Sequence, residues 1–407
     1  MNKPKKIKNE NTDYQNEPKY RSSICFFEHL KNAGKIYLFT IATFIFINAK
    51  SQDITNNKFG KGIQVLAKDS SFYMKFSIRM QNRFEGKYIK TADPSFTDKF
   101  YLRRARLKFD GFAFSPKLVY KMEFDVVSGQ VLDAVVKWNF AGNFYLWFGQ
   151  TKLPGNRERV ISSQQLQFVD RSLLNSKFTI DRDKGVQLRH HFNLGNMVIR
   201  EIGSVSIGEG KNFTGSSVGN DYTGRLEILP FGSFTSKGDY FSSDLKREEK
   251  PKLALGITYD YNDKAVKSGG QLGNVLSQTR NLSTVFADMM FKYKGFSLMS
   301  EYANKTVSNG SPTIVDTSGA FVESFYTGTA VNTQLGYLFK NTWEIAGRYT
   351  LVTPERITTN NGISQYTAGI SKYIVGHNLK VQSDFSLIRE ERKDDELLFR
   401  FQVEMAF

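Results

Sequence analysis

The chain has 407 residues, including 35 Phe, 19 Tyr and 32 Gly, with a mean hydropathy of −0.40 and a formal charge of +16. So polar an average excludes a bundle of membrane helices, each of which needs about 20 consecutive apolar residues, but not a membrane β-barrel, which hides its lipid-facing residues by alternation. A basic balance suits nucleic acid, an acidic surface or an anion pathway, and the export signal read next makes nucleic acid the weakest of the three.

Residues 1–51 carry nine Lys/Arg and four Asp/Glu, so +11 of the formal charge belongs to the remainder. The stretch KIYLFTIATFIFINAKSQD has a positive flank at Lys35, an apolar run from Ile36 to Ile47, and small residues at Ala49 and Ser51. It reads as a signal peptide removed near Ser51, preceded by a long Lys-rich extension; the apolar run is short for a membrane anchor. Cys25, the sole cysteine, lies in this leader, which rules out a disulfide framework in the mature chain. Residues 52–70 read as a short periplasmic segment, and 71–407 as one domain.

In SFYMKFSIRMQNRF, Phe72, Met74, Phe76, Ile78 and Met80 share one parity, while Lys75, Ser77, Arg79, Gln81 and Arg83 take the other. A period of two puts the two sets on opposite faces of a strand. The same split runs through KLVYKMEFDV, where Leu118, Tyr120, Met122 and Phe124 oppose Lys117, Lys121, Glu123 and Asp125. Unpaired buried charge costs several kcal/mol, so a face this ionic is expected to be wet.

Strands are predicted at 71–84, 100–112, 116–127, 131–140, 143–152, 185–193, 196–207, 221–229, 251–262, 282–293, 295–306, 325–339, 342–352, 362–374, 377–389 and 396–407. That makes about sixteen, most of them long enough to cross a bilayer at a tilt. Long connections (85–99, 153–184, 208–220, 263–281, 307–321) alternate with short ones such as FSP, AG, LG, KN and VG, as in a membrane barrel. Pro230 to Lys250 breaks the rule: it is either a large periplasmic loop or a missed hairpin. The fold class predicted is all-β, a transmembrane antiparallel barrel whose 153–184 loop, too long to be structureless, folds inward. The fifth strand is aromatic on both faces, with Tyr145 and Trp147 opposite Phe144, Leu146 and Phe148. Its second face is expected to pack on the inward loop or at a subunit contact.

No motif in the chain points to catalysis. GSSVG at 215–219 has nucleophile-elbow spacing but sits in a Gly/Ser-rich loop without the strand-to-helix turn that chemistry requires. His190 and His191 are strand neighbours and point to opposite faces, so they do not chelate one metal. Asp260 and Asp263 lack a calcium-loop pattern. The reading is no enzyme, no metal and no cofactor. The chain closes on ELLFRFQVEMAF, in which Leu397, Phe399, Phe401, Val403, Met405 and Phe407 share one parity.

FYMKFSIRMQNRF, FYLRRARLKFDG, YKMEFDVVSG, GQTKLPGNRERVISS and GRLEILPFG resemble the phosphate-selective porin O and P family, in its Bacteroidetes-type wording, from about Phe59 to Phe407. The resemblance implies trimers of sixteen-stranded outer-membrane barrels passing small anions such as phosphate, and a terminal Phe407 read by the barrel-assembly machinery. It assigns Arg79 to the family's first-strand arginine, Arg103 and Arg104 to its arginine pair, and Asp133 to an acidic position two strands on. Arg159 stands where phosphate-selective members carry a constriction lysine, a departure that substitutes a flat bidentate donor for a point charge.

By parity Arg104, Arg106 and Lys108 face the lumen. Arg103 takes the lipid parity but is expected to lie near the strand's end and reach into the mouth. Pore-lining residues are thus expected at Arg79, Arg103, Arg104, Arg106, Lys108 and Arg159. The alternatives are a weakly selective general porin with a merely solvated wall, or a non-conducting adhesin or structural barrel.

Overall fold

The computed structural model describes residues 58–91 and 93–407; the predicted signal peptide and its extension lie outside the described residues. The chain forms β1 (Ile63–Leu66), β2 (Phe72–Ile89), β3 (Ser95–Ala113), β4 (Ser115–Asp125), β5 (Gln130–Ala141), β6 (Phe144–Lys152), β7 (Arg182–Leu194), β8 (Met197–Ser206), β9 (Asp221–Leu229) and β10 (Lys252–Lys267). There follow β11 (Val275–Tyr293), β12 (Phe296–Val307), β13 (Thr313–Val315), β14 (Phe321–Ser324), β15 (Gly328–Leu338), β16 (Trp343–Pro354), β17 (Ile363–Val375), β18 (Leu379–Glu390) and β19 (Glu396–Ala406). Two short helices, α1 (Arg157–Val160) and α2 (Leu173–Phe178), lie between β6 and β7.

Sixteen strands, β2–β12 and β15–β19, pair antiparallel with their neighbours in sequence order, and β19 closes the ring on β2. Closure leaves no lipid-exposed sheet edge whose backbone would go unpaired. Each barrel strand overlaps one of the sixteen predicted. The closing seam joins Ala406 to Arg79, and the Phe407 backbone exchanges hydrogen bonds with Ile78 at 2.8 and 2.9 Å. β1 continues the row of β19 along β2, pairing Ile63 with Phe76. Both described chain ends therefore meet at the end of the barrel that holds the short turns. One of these, Lys294–Gly295, has φ of 49° and 95°, positive at both positions as a tight hairpin twist requires.

Alternation is carried through as expected. On β19, Phe399, Phe401 and Val403 are exposed on the outer surface, while Arg400, Gln402 and Glu404 are buried within. Lipid covering a large outward side chain contributes about 1.5–3 kcal/mol.

Three features differ from the sequence reading. The first hairpin runs past the expected loop 85–99, its ladder extending to Ile89 opposite Ser95, because backbone pairing continues where neither face needs to be apolar. A small hairpin, β13–β14, forms in the connection after β12. Pro230 to Lys250 holds no missed hairpin: it folds at the short-turn end around a tight turn at Thr235–Tyr240. There Lys292 Nζ donates to the carbonyls of Gly238, Phe241 and Ser243 at 2.7–2.8 Å. Asp244 accepts from the backbone of Gly295 at 2.7 Å.

Candidate functional site

The segment from Leu153 to Asp181 enters the barrel and divides its interior. α2 starts at Ser172, whose Oγ accepts from Asn175 N at 3.2 Å and donates to Glu158 at 2.5 Å. Its apolar side chains, Leu174 and Phe178, pack with Leu153 and Ile180 against Phe286, Ala303, Ala330 and Val352 of the wall. Removing about 3–5 kcal/mol worth of such burial is what truncating a buried Phe does, so the loop is held by a dry seat. Residues 166–169 cross to the opposite wall, where Lys380 Nζ donates to Leu166 O at 3.0 Å and Asp384 accepts from Val169 N at 3.0 Å.

On the side of β9–β12 the ionic face is not wet throughout, contrary to the sequence reading. Arg157 of the loop reaches Asp288 at 2.6 Å and Glu227 at 3.3 Å, and Arg225 reaches the same two carboxylates at 2.7 and 2.8 Å. Pairing and bidentate hydrogen bonding offset the desolvation that made dry burial look prohibitive.

On the side of β3–β8 the loop leaves a cavity of about 770 Å³. Thirteen Lys or Arg residues and only three carboxylates, Glu123, Asp125 and Asp133, line it. Of the residues expected to line a pore, Arg103, Arg104, Arg106 and Arg159 are brought together here. Arg103 reaches the interior by a route parity did not predict. Gln81 pairs with Arg104 but Asn82 with Leu102, so Arg103 is the extra residue of a β-bulge. It stands well inside β3, not at the strand's end. Arg106 meets Glu123 at 2.8 Å, and Arg104 donates to Gln81 at 2.8 Å.

Arg159 pairs with Asp181. Burial, then the crowding of Arg171 and Arg182, holds its guanidinium well below the ordinary arginine value. The guanidinium of Arg171, also on the loop, donates to the carbonyls of Glu158 and Ile161, at 3.0 and 2.8 Å. Lys211, on the connection after β8, is likewise pulled down by burial and by Arg159.

Two expected residues lie elsewhere. Arg79 is buried under the loop, with Glu404 at 2.7 Å and Ser163 Oγ at 3.0 Å. Lys108 pairs with Asp110 at 2.8 Å and is not among the residues lining the cavity. The inner face of β6 lines the cavity rather than packing on the inward loop. Trp147 faces the cavity, with Lys137 Nζ 3.9 Å and the Arg189 guanidinium 3.8 Å from its ring centroid, a cation–π arrangement that keeps two charges beside an aromatic surface. His190 stacks on outward Phe144 and His191 on Tyr145, on opposite faces as read. Asp133 holds Lys121 at 2.6 Å and Arg182 at 3.1 Å.

Sequence reasoning missed Lys137 and Arg189, although each is a cation on a predicted strand and inward parity was the available signal, and it missed Arg182 because the strand was read as starting at 185. Arg171, Lys211 and Lys237 come from irregular segments, where no periodicity exists to find them.

Residues 74–398 match the family described as phosphate-selective porin O and P. An uncharacterised protein of Aquifex aeolicus is 23% identical over 402 residues, covering 82% of this chain and 87% of its own. In fold, the chain is similar to the in-vitro folded trimer form of OmpT from Vibrio cholerae, with TM-score 0.50, 14% identity, and 82% and 99% of the two chains covered. It is similar also to the anion-selective porin from Comamonas acidovorans, with TM-score 0.50, 10% identity, and 82% and 100% covered.

Proposed function

We propose, since this chain belongs to the phosphate-selective porin O and P family, that its channel favours small inorganic anions and prefers phosphate among them. The class itself is plain: it is an outer-membrane porin, a channel rather than an enzyme. One observation carries the finer reading, the thirteen Lys or Arg residues against three carboxylates around the cavity. Such an excess raises the local anion concentration and repels cations within a Debye length, about 8–10 Å at physiological salt.

Arg103, Arg104, Arg106 and Arg159 are the anion-contacting residues in this reading, joined by Arg171 and Arg182. Guanidinium groups present paired donors that match phosphate oxygens. Passage requires release, so a series of partly neutralised arginines serves better than one tight site. Lys108 and Arg79 are not among the residues lining the cavity and take no part in this reading. A homotrimer in the outer-membrane lipid, with each chain inserted by the barrel-assembly machinery through recognition of Phe407, completes the proposal; the trimer form of OmpT supports the trimer as a precedent of fold alone.

Planar-bilayer recordings with purified, unboiled protein test this. Chloride preference over potassium is expected, with phosphate added in millimolar amounts reducing the chloride current. A cation-preferring channel overturns the anion reading, and a chloride current indifferent to phosphate overturns the phosphate preference.

A further inference from the structure

Asp170, at the inner tip of the loop, stands among more guanidinium charge than it can neutralise. Its Oδ2 accepts from Arg83 Nη1 at 2.9 Å and Arg103 Nη2 at 3.2 Å, and its Oδ1 from Arg104 Nη2 at 3.2 Å. Oδ1 also accepts from the Arg171 backbone at 3.1 Å. Three arginine side chains thus converge on one carboxylate from the loop, and two of them, Arg103 and Arg104, line the cavity. The Arg103 side chain remains 39% exposed while held there.

We infer that Asp170 is a built-in competing anion: its carboxylate occupies part of the donor capacity of Arg103 and Arg104, so that a permeating oxyanion is held weakly enough to leave. The inference rests on the anion reading above and deepens it.

Three observations favour this over a plain tether. The loop has other anchors to the same wall, through Val169 N to Asp384 and Lys380 to Leu166 O, and its own apolar seat at α2. Neither of those anchors touches a cavity arginine. The bulge that turns Arg103 inward also brings its guanidinium onto Asp170. A tether needs only one partner, and Arg83 alone supplies it. Asp170 stays ionised throughout: burial would raise it, but Arg104, Arg83 and Arg103 hold it well below the usual carboxylate range. The competitor is therefore permanent, not a pH switch.

The test is single-channel conductance against KCl concentration for the full-length protein and Asp170→Asn. Freeing two cavity guanidiniums from a nearby opposite charge in a partly watered site should lower the half-saturating concentration about three- to tenfold and reduce the maximal conductance. Asp170→Glu, which keeps the charge, should restore wild-type saturation.

Should Asp170→Asn fail to assemble because Arg83 is stranded, the double variant Arg83→Gln/Asp170→Asn removes the deep charge together with its partner. It still leaves Arg103 and Arg104 uncompensated, so the same tightening is expected. A larger conductance with unchanged or weaker saturation, in the single or double variant, identifies a tether and overturns the inference. Wild-type protein that prefers cations overturns the anion reading itself; wild-type protein that prefers anions, with variants that saturate as it does, overturns the Asp170 role alone.

Discussion

The two sides of the barrel interior use the same residue types to opposite ends. Beside β9–β12, Arg157 and Arg225 face Glu227 and Asp288 at 2.6–3.3 Å, and Arg200, which also lines the cavity, joins them through Glu227 and Asp239, three charges against three. Beside β3–β8, cations outnumber carboxylates by thirteen to three around an open cavity. The lesson is that an arginine on an inward-facing strand position says little by itself. What separates structural cement from an open cationic lining is whether carboxylates match the cations in number and whether the loop covers them.

The largest effect should come from breaking the matched side. Asp288→Asn leaves two buried guanidiniums short of a partner and should destabilise the barrel by about 3–5 kcal/mol, read as a lower melting temperature in detergent by circular dichroism. An unchanged melting temperature would mean that this side is wetter than described. Next, Phe178→Ala empties the apolar seat of α2. A local loss of about 3–5 kcal/mol should free the loop and give larger, noisier single-channel currents. Steady currents of wild-type size would show that the polar crossing at residues 166–169 suffices to hold it.

On the cationic side, Arg104→Ala/Arg159→Ala should cut the chloride-to-potassium permeability ratio about two- to fivefold. A merely solvated wall predicts no shift in that ratio. A smaller effect follows from pH. Burial and neighbouring Arg159 lower the Lys211 value, so Lys211 gives up its proton earlier than an ordinary lysine as pH rises. Anion preference should therefore decline modestly on the alkaline side, and Lys211→Gln should flatten part of that decline. Lys108→Gln should do least: its half-buried pair with Asp110 is worth about 0–1 kcal/mol, and selectivity should stay as it was.

Much of the frame was legible because the bilayer enforces it. Phe399, Phe401 and Val403 must meet lipid while Arg400, Gln402 and Glu404 must not, so parity located the strand wherever a bilayer was present to impose it. It faded at the far end of the first hairpin, where Glu85 to Ile89 alternate less cleanly, and the hairpin was read too short. The site was less legible. A single inserted residue turned Arg103 inward, which alternation cannot foresee. Arg79 found Glu404, 325 residues away, through barrel closure. Trp147 attracted Lys137 and Arg189 from flanking strands, where an aromatic inner face had suggested packing. Phe286 and Val352 look like faults in a polar lining until α2 is seated on them.

The central claim is that the uncovered, cation-rich side of the interior carries the current. Its most direct test is the zero-current potential across a planar bilayer holding the purified, unboiled protein in a KCl gradient. A potential of the sign set by chloride permeability, reduced by Arg104→Ala/Arg159→Ala, is predicted. A potential of the potassium sign, or one that those substitutions leave unmoved, would contradict it.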